Sequence, residues 1–246
     1  DGFCDAKHVR VFSEGLRADS TAQLRARQRR FGGENDSPGR NLSRWLDDLA
    51  EEQPEGMQVR QIWRTDRMGR GGDQIPFLDK GYPAVRITVA VEDYEHQHQD
   101  LRVEEGVTYG DTVNEMDFGY LAKVTQLNVR ALDRLAQSPM PPAVTAEAVV
   151  RTDTLVEWEA VPGTDHYHVY SRRTDEPYWR KDALDVDIVE GSAGVGTLST
   201  IVPVRGDDWF FGVNACSSTG HCSPIASAVP AGAFAPVPQP EDDSAQ

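Results

Sequence analysis

The chain has 246 residues, of which 39% are apolar, and a formal net charge of -15 at pH 7. This length and composition suit one large domain or two ordinary ones with a real hydrophobic core, and the negative charge argues against a nucleic-acid partner, because a phosphate backbone repels such a surface. No run of residues approaches the roughly 18 apolar residues that cross a bilayer, so no membrane span is expected.

The segment before residue 139 alternates strand and helix patterns, which is typical of an α/β layer in which helices cover a sheet. Ser37 and Pro38 mark the start of one helix, because serine can cap free amides and proline fits the first helical position. Gly71 and Gly72 permit a sharp turn, and a long amphipathic helix ends near Gln137. The predicted strands are residues 9–12, 58–63 and 84–91, with a short helix at 75–80.

A proline-rich joint at residues 139–143 divides the chain. The sequence before it, residues 1–138, forms the first predicted domain. Short strands with turn signals between them predict a second domain, an all-β sandwich over residues 144–230. The composition after that, rich in proline, alanine and acidic residues, predicts a disordered tail over residues 231–246.

The strands of the second domain alternate apolar and polar side chains, as half-buried strands do. The pattern is clearest at residues 155–160, 166–171 and 209–215. It resembles a fibronectin type III domain, although Phe211 stands near where that family usually has a tyrosine. The expected core comprises Trp158, Tyr167, Val169, Trp179, Phe211 and Val213.

The three cysteines are Cys4, Cys216 and Cys222. The last two bracket a turn-like stretch between β-rich runs, so a cross-strand disulfide is geometrically reasonable, and two free thiols are the alternative. A disulfide indicates an oxidising compartment. We therefore predict a Cys216–Cys222 disulfide in a secreted or periplasmic protein, with Cys4 left over.

Two groups of motifs carry the functional interpretation. The first group is DRMGRGGDQIPF at 66–77, GYPAVR at 81–86 and EDYEHQHQ at 92–99, and the second is VRVFSEG at 9–15 and GGENDSP at 32–38. Together they resemble the di-zinc exopeptidases of the aminopeptidase S and aminopeptidase Y type. The resemblance extends roughly over residues 1–141. It implies that residues 1–138 are the C-terminal portion of their catalytic domain, an α/β fold with a helix-covered mixed sheet.

The resemblance also implies roles for four residues. By the family's Gln-His-Gln pattern the zinc ligand is His98, with its neighbour His96 as the alternative. Asp73 matches an aspartate of an Asp-His-x-Pro-Phe turn, so it would orient a ligand or the substrate; capping the short helix is the alternative role. Gln74 replaces the family's histidine and cannot titrate. Tyr94 is a candidate for substrate contact or for packing.

The other parts of the family's site are absent from this sequence. A His-x-Asp strand end, a Glu-Glu pair, the general base and a further carboxylate would all precede Asp1, and one histidine cannot fix a catalytic zinc. The resemblance thus implies a zinc metallopeptidase, of aminopeptidase type, that uses two zinc ions on peptide or protein substrates. The chain alone is expected to be inactive.

Two interpretations of other classes remain open at the level of sequence. An exopeptidase-like scaffold could have lost its metals and serve as a binding protein that docks on a surface through the sandwich, and Gln74 is the feature that favours this. The sandwich could also bind carbohydrate through Tyr178 and Trp179, although such aromatic residues are more often packing residues.

Overall fold

The computed structural model describes residues 4–187 and 195–239. Its N-terminal unit, residues 8–137, is built on a three-stranded sheet of β1 (His8–Phe12), β2 (Gln58–Ile62) and β3 (Arg86–Val89). The strand order is β2-β1-β3. Strand β1 runs parallel to β2 and antiparallel to β3, so the sheet is mixed.

Two helices, α2 (Pro38–Glu51) and α4 (Phe118–Gln137), pack on this sheet and bury its apolar residues. The unit also contains α1 (Ala22–Phe31) and α3 (Gln74–Asp79). Helix α2 begins as the sequence predicts: the Ser37 hydroxyl accepts a hydrogen bond from the Arg40 amide at 3.1 Å, and Pro38 occupies the first helical position. The shared core comprises Val9, Val11, Leu46, Leu49, Ala50, Met57, Leu127 and Ala131.

Between β3 and α4 the chain forms a long loop that carries the histidine motif. A small hairpin of β4 (Arg102–Glu104) and β5 (Val107–Tyr109) follows the motif, and a single 3-10 turn (Val113–Glu115) leads into α4. No helix in the described part of the chain is both long and apolar enough to cross a membrane.

The C-terminal unit, residues 144–227, consists of two antiparallel sheets that share one core. One sheet has the order β10-β7-β6 and the other β12-β11-β8-β9. Trp158 from the first sheet packs against Tyr167 from the second, with ring centroids 5.5 Å apart. The strands are β6 (Val144–Glu147), β7 (Thr154–Glu159), β8 (His166–Arg173), β9 (Leu184–Asp187), β10 (Thr197–Val202), β11 (Trp209–Cys216) and β12 (Ala226–Ser227).

The two units are joined by a buried polar contact. The Asp36 carboxylate lies between Arg44 of α2, at 3.2 Å, and Arg172 of β8, and all three side chains are at most 3% exposed. Trp179 donates its indole N–H to Asn41 Oδ1 at 3.0 Å. Trp179 therefore belongs to the contact between the units and not to the sandwich core in which the sequence placed it.

The start of the predicted tail is held against the N-terminal unit. Arg17 donates hydrogen bonds to the carbonyls of Ala233 and Ala235, and the Val237 amide donates to Asp19 Oδ2 at 2.8 Å. Phe234 is buried. Composition predicts disorder from residue 231. Residues 231–239 instead pack on the fold, because Arg17 and Asp19 form hydrogen bonds with their backbone groups. Residues 240–246 lie outside the described residues.

Candidate functional site

The histidine-bearing loop is anchored by one buried carboxylate. The Glu92 side chain is 2% exposed and accepts hydrogen bonds from Arg10 at 2.5 Å, Arg67 at 3.0 Å and Arg70 at 3.1 Å. Burial by itself would raise the pKa of Glu92, but the hydrogen bonds from Arg10 and Arg67 outweigh it and lower the pKa. The carboxylate therefore stays ionised at neutral pH and ties strand β1 and the glycine-rich segment to the loop.

Arg70 extends this anchor to the histidine itself. Its Nη1 atom donates both to Glu92 and, at 2.8 Å, to Gln97 Oε1, so it reaches the residue immediately before His98. Its guanidinium also lies 5.9 Å from the centre of the Tyr94 ring. One arginine of the glycine-rich segment thus contacts three positions of the histidine motif.

The glycine-rich segment leaves space for a second arginine. A Cβ at Gly72 would lie 1.5 Å from Arg86 Nη1, so glycine lets that guanidinium pass close to the backbone. Arg86 then donates to the Gly71 carbonyl at 3.0 Å and lies 3.7 Å from Asp66. The space beside the glycine turn is therefore filled by the guanidinium of Arg86 from β3.

Gln74 and Asp73 have different environments. Gln74 is buried and donates to Asp66 Oδ2 at 2.6 Å and to the Thr65 carbonyl at 3.1 Å. Asp73 is exposed at the start of α3, but its side chain makes no capping hydrogen bond, so the capping alternative does not hold. Gln74 acts as a buried link within the turn, and Asp73 faces outward with its carboxylate available.

His98 and His96 are also placed differently. His98 is exposed and has a left-handed backbone with φ of 56°, and its amide donates to Asp111 Oδ2 at 3.4 Å. His96 Nδ1 lies 3.0 Å from Asp93 Oδ2, and this hydrogen bond raises the pKa of His96. Asp93, Glu95 and His96 have ligand atoms within 4.8 Å of one another, so the structure groups His96, and not His98, with carboxylates.

Zinc in proteins takes three or four ligands from His, Cys, Asp and Glu. The trio of Asp93, Glu95 and His96 offers a nitrogen and two oxygens, but both acids are exposed. His98 contributes one imidazole, and the Asp111 carboxylate lies 3.4 Å from its backbone amide. The residues of this loop thus fit zinc only as part of a larger ligand set, and no reaction step can be assigned to them alone.

A groove of about 1070 Å³ runs beside this loop. Strand β3 forms one wall, and among the described strands it pairs only with β1, so its other edge faces the groove. Tyr94 lies in the lining with its side chain 61% exposed. The apolar part of the lining comprises Ile87, Val89, Val91, Tyr120, Leu121 and Val124.

The chain is similar over most of its length to fungal proteins. It is 39% identical over 226 residues to a probable zinc metalloprotease of Leptosphaeria maculans, a match that covers 90% of this chain and 50% of that protein. Proteins of the same name from Pyrenophora tritici-repentis and Pyricularia oryzae are 38% and 34% identical over 229 and 239 residues. These matches cover 90% and 92% of this chain and 45% of each relative. This chain is homologous to proteins named as probable zinc metalloproteases.

The homology supports the zinc metallopeptidase class that the motifs imply. The chain spans about half the length of the relatives it matches. No family model matches the sequence. The names of these relatives therefore support the class and zinc, and they bear on neither the exopeptidase type nor the number of ions.

The sequence interpretation missed Glu92 and its arginines. An acidic residue directly after the apolar run 84–91, together with two arginines in the glycine-rich segment, was the available signal. What the sequence could not give is that Arg10, on another strand, would reach the same carboxylate.

Proposed function

We propose that this chain is one portion of a zinc aminopeptidase whose catalytic centre is completed by sequence outside it. The observation that carries the proposal is the Glu92 anchor, which fixes an exposed histidine beside a large groove. The homology with zinc metalloproteases and the partial coverage of these relatives agree with it.

His98 is the zinc ligand in this proposal. Its backbone is held by Asp111 and its neighbour Gln97 by Arg70. Among the described residues, the imidazole has no hydrogen-bond partner that would compete with a metal. Bound zinc would lower the pKa of a water molecule and polarise the scissile carbonyl. His96 is already paired with Asp93, which favours a structural role for it.

The groove is the proposed contact surface for the rest of the catalytic domain and for the substrate. The open edge of β3 has unpaired backbone groups with which a strand from the rest of the domain can form hydrogen bonds. The same part of the domain can pack on the apolar side chains that β3 and α4 present to the groove. Tyr94, which lines the groove, and Asp73, which is exposed at the start of α3, are the proposed substrate contacts. Arg67 and Arg70 are positioning residues that act through Glu92 and Gln97.

The test uses the full-length protein, extended to the length of its relatives, with wild type, H98A and H96A compared. We expect chelator-sensitive hydrolysis of aminoacyl anilides by wild type and H96A, and a loss of at least about 100-fold in kcat/KM for H98A, since a missing zinc ligand removes the metal-bound water. An N-acetylated anilide should not be cleaved. Cleavage of the acetylated substrate would refute the aminopeptidase type, and equal losses in H96A and H98A would refute the choice of ligand.

The binding-protein interpretation makes the opposite prediction for the same experiment. Full-length wild type that binds no zinc and hydrolyses no peptide substrate would support it. Gln74, which favoured it in the sequence, donates its side-chain amide to Asp66 and Thr65, while its buried Oε1 atom has no hydrogen-bond partner among the described residues. Its amide group therefore has a local role in the turn.

A further inference from the structure

The C-terminal unit contains four metal-binding side chains in one place. His166 and His168 are two residues apart in β8 and therefore lie on the same face of the strand, with ring centroids 5.0 Å apart. Cys216 of β11 lies opposite His166 in the strand register, and its Sγ atom is 3.4 Å from His168 Nδ1. One ligand atom from each of His166, His168, Cys216 and Cys222 lies within 4.8 Å of the other three.

The two cysteines are joined in the structure by a disulfide with an S–S distance of 2.04 Å. We propose that this disulfide is the oxidised form of a Cys2His2 zinc site, so that reduction of Cys216–Cys222 creates a metal site in the C-terminal unit. The site is separate from the histidine loop of the N-terminal unit, and the inference does not depend on the proposed peptidase activity.

The local chemistry matches a structural zinc site. Two thiolates neutralise the charge of Zn²⁺, and two neutral imidazoles complete a tetrahedron in which the two sulfurs are about 3.8 Å apart, given zinc–sulfur bonds of about 2.3 Å. The sulfurs therefore need to separate from their bonded distance. Only residues 217–221 lie between the cysteines, so the separation involves this short loop.

A neighbouring carboxylate already orients one of the histidines. Asp165 Oδ2 lies 3.1 Å from His166 Nδ1, the arrangement in which a carboxylate fixes the tautomer of a metal-binding imidazole and leaves Nε2 as the ligand atom. The Asp165 carboxylate thus supplies one supporting contact of a metal site beside the disulfide.

The redox step balances with a dithiol reductant. Thiol–disulfide exchange transfers two electrons and two protons from the dithiol to the Cys216–Cys222 bond and yields two thiols and an oxidised reductant. Zinc binding then releases the two thiol protons to solvent. Oxidation of the two thiolates by a disulfide reverses the step and expels the metal.

The site can be reached from a cavity between the two units. This cavity of about 380 Å³ is lined by His168 and Cys222 on one side and by Trp45 of α2 on the other. The Trp45 indole donates to the Cys222 carbonyl at 3.2 Å. A shift of Cys222 on reduction and metal binding would therefore act directly on the contact between the units.

The test uses the whole chain carrying C4S, because Cys4 is an exposed free cysteine that could supply a stray thiolate. Half the sample is reduced with a phosphine and kept anaerobic, half stays oxidised, and both are titrated with Co²⁺ and then Zn²⁺. We expect about one equivalent of Co²⁺ per reduced chain, with thiolate charge-transfer bands and the visible bands of tetrahedral cobalt, bleached by Zn²⁺. The oxidised sample should show no thiolate bands.

Variants separate the proposed ligands from their surroundings. H166N and H168N should each lose the tetrahedral spectrum, and D165N should weaken metal affinity by about 10- to 100-fold while keeping the spectrum. H221N is the matched control, because His221 adjoins Cys222 but is not one of the four ligands, and it should leave the spectrum unchanged. Far-UV circular dichroism of every sample confirms that the sheets persist.

Two outcomes would overturn the proposal. One is a reduced and folded chain that binds no Co²⁺ with thiolate bands. The other is thiolate-coordinated cobalt whose spectrum is the same in H166N and H168N as in the parent, which would mean that the cysteines bind metal without the histidines.

Discussion

The buried contact between the units should make a large, measurable contribution to stability. Asp36 is completely buried and faces two guanidinium groups, Arg44 and Arg172, which are 3% and 2% exposed. Burial lowers the pKa of Arg44 to about 10, with Asp36 opposing that effect, so the arginine remains charged at neutral pH. D36N keeps the shape of the side chain but leaves two buried cations without a counter-charge.

Removing one partner of a buried ion pair costs about 3 to 5 kcal/mol, because the remaining charge stays uncompensated. For a chain of this size each kcal/mol lowers Tm by about 2 to 4 °C, so D36N should melt roughly 10 °C below wild type. The assay is thermal and guanidinium unfolding followed by circular dichroism and tryptophan fluorescence. The control is D153N, because the side chains of the Arg151–Asp153 ion pair are about one-third exposed. This variant should change stability by less than about 0.5 kcal/mol.

The reasoning would be refuted by a D36N variant that loses less than about 1 kcal/mol, a value typical of exposed pairs. Such a result would mean that Arg44 and Arg172 regain solvation when the carboxylate is neutralised. The contact between the units would then be looser than its burial indicates.

Two further predictions concern buried carboxyl groups. Burial raises the pKa of Glu14 to about 7, against 4.5 for the unperturbed group, so its contribution to stability is complete below about pH 4.5 and is lost as the pH rises through 7. The difference in unfolding free energy between wild type and E14Q should therefore fall as the pH rises over that range. A difference that does not change with pH would contradict the burial argument. The pKa of Glu92 is lowered, so its contribution is present above about pH 4.5 and is lost at lower pH. E92Q should therefore cost roughly 1 to 3 kcal/mol at pH 7 and speed amide hydrogen exchange of the 92–99 loop, with no added exchange in the 144–227 unit as the internal control; unchanged exchange of the loop would show that Glu92 is not its anchor.

Local patterns predicted the elements well where they depend on neighbouring residues. The Ser37–Pro38 helix start, the three strands of the first sheet and the alternating strands of the C-terminal unit follow from capping, proline geometry and periodicity. The Cys216–Cys222 pair also followed from a short turn between strands, and the structure joins these two residues.

Contacts between distant residues could not be predicted in the same way. Trp179 was expected in the sandwich core as a large aromatic residue of the C-terminal unit, yet its indole reaches Asn41, which is 138 residues away. The tail had a disordered composition, yet Arg17 and Asp19 bind its backbone more than 200 residues later in the sequence. In both cases a polar side chain of the N-terminal unit supplies the partner, and sequence periodicity carries no information about such a partner.

The candidate site was only partly accessible to sequence reasoning. The motifs located the histidine loop, but the choice of His98 over His96 depends on the family pattern and not on geometry. The structure groups His96 with Asp93 and Glu95, and it leaves His98 exposed on a left-handed residue. The ligand assignment therefore stays a prediction that metal binding must test.

The most direct measurement is the zinc content of the full-length protein, determined by elemental mass spectrometry for wild type, H98A and H96A after dialysis against metal-free buffer. The account predicts two zinc ions per wild-type chain, about one in H98A because one ion loses a ligand, and the wild-type value in H96A. A wild-type protein without zinc, or an H98A variant that retains the full wild-type content, would contradict it.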